Sequence, residues 1–355
     1  QTLFDVAPTF LVTVPRYLQK FASQVLVNLG STSRVKRAAY DIAMRVARRH
    51  ARARWNGAAG GGRSLLYAPA RLAVFRPILN KLGLDQIELL MSGGAPLPAD
   101  TMALWQMWGV NVVEGYGQTE TGGALISAQR GPFPRPGNVG SVVRGFDVRL
   151  ADDGEILVRG PDLFEGYWGK PEATRAAIDA DGYLHTGDVG EWHGDHLKIV
   201  DRARDFIVTA GGKTVAPANI ETVMRASPYV AEVVVYGHGQ KYLTALVEID
   251  FEAVADWARS NDVAYTGFTS LAAHRQVEQL IAGEIARLNQ TLGRVEQIKR
   301  FRILPKALDP EEEGEPVTPT RKVKRAQMQR RFAALIDSMY DDREQRLVAA
   351  EVGEG

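Results

Sequence analysis

Five short segments of the 355-residue sequence are more polar and richer in glycine than folding alone requires: SGGAP at 92–96, YGQTE at 116–120, HTGD at 185–188, DRARDFIVTAGGK at 201–213 and TPTRKVKR at 318–325. Gly93 and Gly94, lacking side chains, let backbone come close to a flat group. Tyr116 offers an aromatic face, Thr119 a hydroxyl and Glu120 a hard carboxylate oxygen suited to a divalent cation. Asp188 can accept hydrogen bonds from two neighbouring hydroxyls, and Lys322 can neutralise developing negative charge. Each segment also has an ordinary reading. The glycine pair can be a turn, Tyr116 a core aromatic, Glu120 a surface acid, Asp188 a turn residue and Lys322 a solvated charge. Their joint occurrence, in this order, is what the ordinary readings do not explain.

These segments need elements to hold them. Up to about residue 125, helical patterns alternate with the apolar runs FLVTV (10–14), IELLMSGG (87–94) and VNVVEGYG (110–117), the rhythm of a parallel sheet covered by helices. Pro98 to Trp108 reads as a helix, so SGGAP and YGQTE follow strands, at the carboxyl edge where α/β proteins bind ligands. From about 137 to 200 short strands and tight turns predict a small antiparallel or barrel-like β unit. There His193, Asp195 and His196 offer metal-ligand types, but EWHGDH puts Gly194-Asp195 in a two-residue hairpin turn, which accounts for them. After Asp201 come a short strand around Phe206 to Thr209, a Gly-Gly turn, a helix after Pro217, the strands AEVVVYG and YLTALVEI, helices around 252–260 and 270–291, and a last helix from about Arg325 to Met339. The expected organisation is therefore an α/β portion at 1–136, a β-rich subdomain at 137–200, an α+β domain at 201–345 and a tail at 346–355.

Composition is that of a globular protein, with 45% hydrophobic and 24% charged residues, which excludes a disordered chain. The absence of cysteine excludes disulfides and thiolate chemistry and fits a reducing compartment. No apolar run reaches the length of a membrane span and the first residues do not read as a signal peptide, so a cytoplasmic location is expected. A net charge of +1 argues against a nucleic-acid partner. The charge is uneven, however. Between Ser31 and Trp55, Arg34, Lys36, Arg37, Arg45, Arg48, Arg49, Arg52 and Arg54 face only Asp41, with Val35, Ala38, Ala39, Ile42, Val46 and Ala47 recurring at helical spacing. A basic amphipathic helix is predicted, its apolar face packed on the domain and its basic face solvated or in peripheral contact with anionic lipid at the inner membrane face. Gly60, Gly61 and Gly62 predict a flexible loop after it.

The five segments together resemble those of the adenylate-forming superfamily, which includes acyl-CoA synthetases, luciferases and peptide-synthetase adenylation domains. VPRYLQKF, the basic helix, YGQTETGG, GPDLFEGYWGKPEAT, FTSLAAH and ILPKALDPEEEGEPVTPTRKVKR are most similar to bacterial long-chain fatty acyl-CoA synthetases. The resemblance implies an ATP-dependent acid–thiol ligase. A fatty-acid carboxylate attacks the α-phosphate of ATP, pyrophosphate leaves, and the thiol of coenzyme A then takes the acyl group. It assigns Gly93, Gly94 and Ala95 to adenine, with Tyr116 and Gly117 beside the same base. Thr119 falls at the α-phosphate, Glu120 as a ligand of Mg2+, and Asp188 and Arg202 at the ribose. Gly211 and Gly212 line the pantetheine tunnel, and Lys322 is the adenylation lysine, with Lys324 its competitor. Lys213 is structural or a phosphate contact. Arg204 falls at the hinge. The implied fold is the C-terminal part of an adenylate-forming large domain, an α/β sheet layer plus a small β unit, followed by a mobile α+β domain.

One departure stands out. The Ser/Thr/Gly-rich loop that grips the β- and γ-phosphates in the superfamily is missing, since NLGSTSRVKR at 28–37 has neither its glycine spacing nor its position. With the missing start Met, this leads to the expectation that an N-terminal portion carrying that loop and much of the acyl pocket precedes these residues. Two other readings stay open: a ligase of the same superfamily acting on aromatic or medium-chain acids or on a carrier-protein thiol, and a nucleotide-binding fragment without turnover. The sequence does not indicate an oligomeric state.

Overall fold

A computed structural model describes residues 2–30, 32–57, 65–319 and 321–340. Gly60, Gly61 and Gly62 and the 346–355 tail lie outside the described residues. The chain forms two compact units, Gln1–Arg204 and Asp205–Gly355.

In the first unit the apolar runs become a five-stranded sheet: β1 (Phe10–Thr13), β2 (Leu89–Ser92), β3 (Val112–Tyr116), β4 (Ser127–Ala128) and β5 (Ser141–Val142), in that spatial order. The pairs β1·β2 and β2·β3 are parallel, because helices intervene; β3·β4 and β4·β5 are antiparallel. Helices Pro15–Gly30, Arg34–Trp55 and Ala99–Met107 pack on this layer through Leu18, Tyr40, Met44, Met102 and Trp105, joined by Trp108 just past the end of the third. Both buried indoles are satisfied, as Trp105 Nε1 donates to the Leu18 carbonyl and Trp108 Nε1 to the Tyr40 hydroxyl, each at 3.1 Å. The outer strand β1 leaves Phe10 and Val12 more than half exposed.

The basic helix forms over Arg34–Trp55, but its packed face differs from the expected one. Tyr40, Ala43, Met44, Ala47 and Ala51 are buried, whereas Val35, Ala38, Ala39 and Ile42 are exposed. Two apolar stripes run along this helix, and the core took the one with small residues, which let the helix approach closely, plus Tyr40, whose ring meets Phe75 edge-on. Arg37 is tied to the Gly30 and Thr32 carbonyls and Arg54 stacks on Phe133, while Arg34, Arg45, Arg48, Arg49 and Arg52 stay exposed.

Strands β6 (Asp147–Leu150), β7 (Glu155–Arg159), β8 (Leu184–His193) and β9 (His196–Arg202) form the antiparallel meander read from the turn-rich stretch. One short helix, Pro171–Ala177, interrupts it. His193 and His196 face each other across a turn in which Gly194 has φ +66°, and the His193 ring meets Glu191 at 3.0 Å.

The second unit holds the short ribbon β10 (Ile207–Val208) and β11 (Thr214–Val215) and a three-stranded sheet, β12 (Val230–Tyr236), β13 (Leu243–Ile249) and β14 (Ile298–Ile303). Period-two alternation sends Val233 and Val235 into one core with Ile220, Leu271 and Ile281, and Val234 and Tyr236 into another with Leu308, Met328 and Ile336. Strand β13 is buried along its whole length, its apolar residues joined by Thr244 and Glu248, which are buried with them. Two expected helices are broken. The 270–291 stretch splits into Phe268–Ala272 and Arg275–Asn289, because the His274 ring caps the second helix by accepting from Gln276 N–H. The last helix is Arg325–Arg331 followed by Ala333–Ser338, with Phe332 in a non-helical conformation between them. No helix among the described residues is long and apolar enough to cross a membrane.

Candidate active site

The parallel strands β2 and β3 end side by side, Ser92 opposite Glu114, and each runs into one of the glycine-rich segments. After β2 the chain turns through Gly93, Gly94 and Ala95. Gly94 has φ +81°, a conformation that glycine adopts without cost, and it and Ala95 are exposed. The far end of this turn is tied down from below, where the Leu97 N–H donates to Glu114 Oε1 at 2.9 Å. Glu114 is only 6% exposed, and burial pushes its carboxyl up to about 8 even though that hydrogen bond favours the ionised form. At neutral pH it is therefore mostly a neutral carboxylic acid.

After β3, Gly117 is required by packing, because a Cβ there would lie 2.4 Å from the Ala124 carbonyl oxygen. Thr119 and Glu120 then sit in a single 3-10 turn, Thr119–Thr121. The buried Thr121 hydroxyl holds that turn shut, accepting from Gln118 N–H at 3.2 Å and lying 2.8 Å from the Gln118 and Ala124 carbonyls. Thr119 is exposed and Glu120 half-buried. The Tyr167 hydroxyl donates to Glu120 Oε1 at 2.9 Å, which fixes the carboxylate.

The meander delivers the second half of the site. In β8 the register against β7 slips between Leu157 and Glu155, and Gly187, with φ +68°, takes up the bulge. Glu155 braces this bulge with both oxygens, accepting from Gly187 N–H at 2.8 Å and meeting His185 Nδ1 at 2.8 Å. Thr186 Oγ1 donates to the Ile156 carbonyl at 2.7 Å and accepts from Asp188 N–H at 3.1 Å. Asp188 is thereby pointed at its cross-strand partner Arg202, whose Nε lies 3.2 Å from Oδ1. Its other oxygen, Oδ2, accepts from the Tyr116 hydroxyl at 2.7 Å and from Gln118 Nε2. Burial and the neighbouring Asp188 charge both push the Tyr116 phenol well up, so it stays a donor.

Tyr116, Asp188 and Arg202 are thus brought together from three strands, although more than 70 residues separate the first from the second. Gln118 ties them to the Thr186 carbonyl at 3.1 Å. Sequence reasoning did not single out Gln118, Glu114, Tyr167 or Glu155. Gln118 lies inside YGQTE and was the one polar member given no role; Glu114 and Tyr167 lie inside the quoted runs VNVVEGYG and GPDLFEGYWGKPEAT but were given no role there, and Glu155 carries no local signature. Among the described residues no three acidic or histidine side chains gather as a metal site. A single half-buried carboxylate still fits Mg2+, which takes one or two carboxylates and fills its remaining positions with phosphate oxygens and water.

The other expected site residues belong to the second unit. Gly211 and Gly212 form the tight turn between β10 and β11, where Gly212 has φ +72° and its N–H donates to the Thr209 carbonyl at 2.9 Å. Both are exposed, as is Lys213. Lys322 and Lys324 are exposed on the segment before the Arg325–Arg331 helix.

Comparison with known proteins gives two family models in chain order, AMP-binding enzyme over residues 2–168 and AMP-binding enzyme C-terminal domain over 204–344. Long-chain-fatty-acid–CoA ligase FadD15 of Mycobacterium tuberculosis is 36% identical over 341 residues, covering 94% of this chain and 55% of that protein. Long chain acyl-CoA synthetase 7 of Arabidopsis thaliana is 33% identical, over 94% of this chain and 48% of its own. The chain spans about half the length of the curated relatives it matches. Among solved structures, the adenylation domain of a carboxylate reductase from Mycobacterium chelonae superposes with a TM-score of 0.66 at 20% identity, over 96% of this chain and 47% of that one. The corresponding domain from Segniliparus rugosus, solved with AMP and a co-purified carboxylic acid, gives 0.64 at 21% identity, over 94% and 47%. The adenylation-domain fold, the two successive family models and the long-chain relatives agree, and the chain belongs to the AMP-binding, adenylate-forming enzymes.

Proposed function

We propose that this chain supplies the adenine, ribose and α-phosphate contacts, together with the mobile C-terminal domain, of an ATP-dependent fatty acid–CoA ligase. The observation that carries the reading is the convergence of Tyr116, Gln118 and Arg202 on Asp188, beside the Gly93–Ala95 turn. Adenine lies between that turn and the Tyr116 ring, which the bond to Asp188 holds still. Asp188, fixed by three donors, keeps lone pairs for the ribose hydroxyls, with the Arg202 guanidinium 3.2 Å away. Thr119 offers its exposed hydroxyl to the α-phosphate. Glu120, oriented by Tyr167, is the carboxylate for Mg2+, which when bound neutralises phosphate charge. Lys322 neutralises charge at the α-phosphate while the acyl carboxylate attacks and pyrophosphate leaves, and positioning plus charge neutralisation is most of what phosphoryl-centre catalysis requires. Gly211 and Gly212 leave an unobstructed turn for the pantetheine arm of coenzyme A, after rotation about Arg204.

The preference for long acyl chains rests on the FadD15 and plant relatives. Contact with an anionic membrane surface is supported by the outer face of the Arg34–Trp55 helix, where exposed Val35 and Ile42 lie among exposed arginines. The test is pyrophosphate release by the full-length enzyme across a panel of carboxylic acids, with calorimetry of AMP on this chain. Release peaking with long-chain acids, and AMP binding by the chain, are expected. A preference for aromatic acids would move the reading to another ligase of the family, and absence of AMP binding would overturn the site.

A further inference from the structure

Lys322 and Lys324 lie two residues apart on one extended segment, so both project outward, and the register of that segment decides which lysine is offered. The segment is the second arm of a small hairpin. Lys324 N–H donates to the Pro316 carbonyl at 2.8 Å and Thr318 N–H to the Lys322 carbonyl at 2.9 Å, while Val317 and Val323 pair between them. Lys322 N–H donates to Thr318 Oγ1 at 2.9 Å, and Arg321 N–H closes the turn on the Thr318 carbonyl at 2.7 Å.

Arg321 has φ +62°. Glycine or asparagine would take this left-handed conformation at less cost, so the arginine is informative: its side chain does something that the turn alone does not need. It runs inward. Its NH2 group donates to Glu248 Oε1 at 3.1 Å and to the Leu308 carbonyl at 2.8 Å. Glu248 stands on β13, 3% exposed, and the same oxygen accepts from Leu308 N–H at 3.3 Å. Four residues on, Arg325 is anchored in the same manner, to the Val235 carbonyl at 2.9 Å and to Glu221 Oε1 at 2.7 Å. Arg321, Val323 and Arg325 are therefore pinned to the sheet and Lys322 and Lys324 alternate outward between them. A slip of one residue would carry both arginines out and both lysines in, leaving Glu248 and Glu221 buried without their cations.

We propose that Arg321, clamped by Glu248, is a positioning residue that fixes the register and rigidity of this hairpin and so presents Lys322 to the reacting phosphate. The inference rests on Lys322 being the adenylation lysine. The test uses the full-length enzyme and Arg321→Gly, which keeps the left-handed turn and removes only the anchor. Adenylation, read as pyrophosphate release, is expected to fall 10- to 100-fold in kcat with KM for ATP within twofold. Thioester formation from supplied acyl-adenylate should stay within threefold, and amide hydrogen exchange at residues 318–324 should quicken at least tenfold. Arg321→Lys keeps a cation for Glu248 and should recover part of the rate. Equal loss of both half-reactions, or unchanged exchange, overturns the proposal. Lys322→Ala, run alongside, separates the two failures. Intact adenylation in that variant overturns the lysine reading itself, whereas lost adenylation there with unaltered Arg321→Gly overturns the brace alone.

Discussion

Glu114→Gln isolates the buried acid beneath the Gly93–Ala95 turn. Glutamine retains an oxygen to accept from the Leu97 N–H and cannot ionise. In the folded chain the carboxyl is raised from 4.5 to about 8 by burial. Between those two values the folded state holds a proton that the unfolded chain has released. The stabilisation is thus complete below about pH 4.5 and is lost as pH rises through 8. At about 1.4 kcal/mol per pH unit the loss across this window is roughly 4 to 5 kcal/mol. Urea unfolding followed by tryptophan fluorescence reads it directly, since Trp105 and Trp108 are fully buried in the same unit. The wild-type midpoint should drop between pH 5 and 8 while that of Glu114→Gln stays flatter, the two nearly equal at pH 5 and the variant ahead by a few kcal/mol at pH 8. Parallel curves for the two proteins, or a variant less stable at pH 8, would refute the claim that a neutral acid supports this turn.

Three further outcomes follow from the same geometry. Asp188→Ala removes the acceptor shared by Tyr116, Gln118 and Arg202 and should weaken AMP binding about 10- to 100-fold by calorimetry, the worth of one or two charge-assisted hydrogen bonds at about 1.5 to 3 kcal/mol. Arg204→Pro fixes a backbone dihedral where the two units meet in sequence, so thioester formation by the full-length enzyme should fall much further than adenylation; equal loss in a folded variant would remove residue 204 as the pivot. Replacing Arg45, Arg48, Arg49 and Arg52 by Gln should release the protein from vesicles containing anionic lipid, each charge that reaches the surface being worth roughly 1 kcal/mol. Sedimentation indifferent to lipid charge or to salt would return that helix face to plain solvation.

What could be read from the chain and what could not divide along physical lines. The strands β2 and β3 were legible because apolar runs end abruptly in glycine, and the EWHGDH hairpin because a two-residue turn has a fixed chemistry. The helix Arg34–Trp55 was legible as a helix but not as to its packed side. Period 3.6 gives two stripes equal standing, and only the neighbouring Phe75 and Trp108 select the one bearing Tyr40 and Met44. In the site, Tyr116 and Asp188 were visible as types, yet their bond depends on a bulge at Gly187 that joins segments 70 residues apart. Glu155 acts only through such long-range contacts, with nothing beside it to signal them, and Tyr167, although inside the segment GPDLFEGYWGKPEAT, reaches a carboxylate 47 residues away that its own segment does not name. The break at Phe332 likewise has no proline or glycine to announce it.

The outermost strand β1 has a practical bearing on handling this chain. Among the described residues only β2 pairs with it, so one row of its N–H and C=O groups is open to another strand, and Phe4, Val6, Phe10, Val12 and Tyr17, all more than half exposed, make the neighbourhood adhesive. An open edge of this kind is a template on which a second molecule can add in register. Solutions of the isolated chain should therefore thicken into oligomers as concentration rises, through backbone rather than side-chain recognition. A lysine in place of Val12, whose side chain stands out from the strand, is the economical remedy, because a charge that tolerates water on one molecule resists being covered by the next.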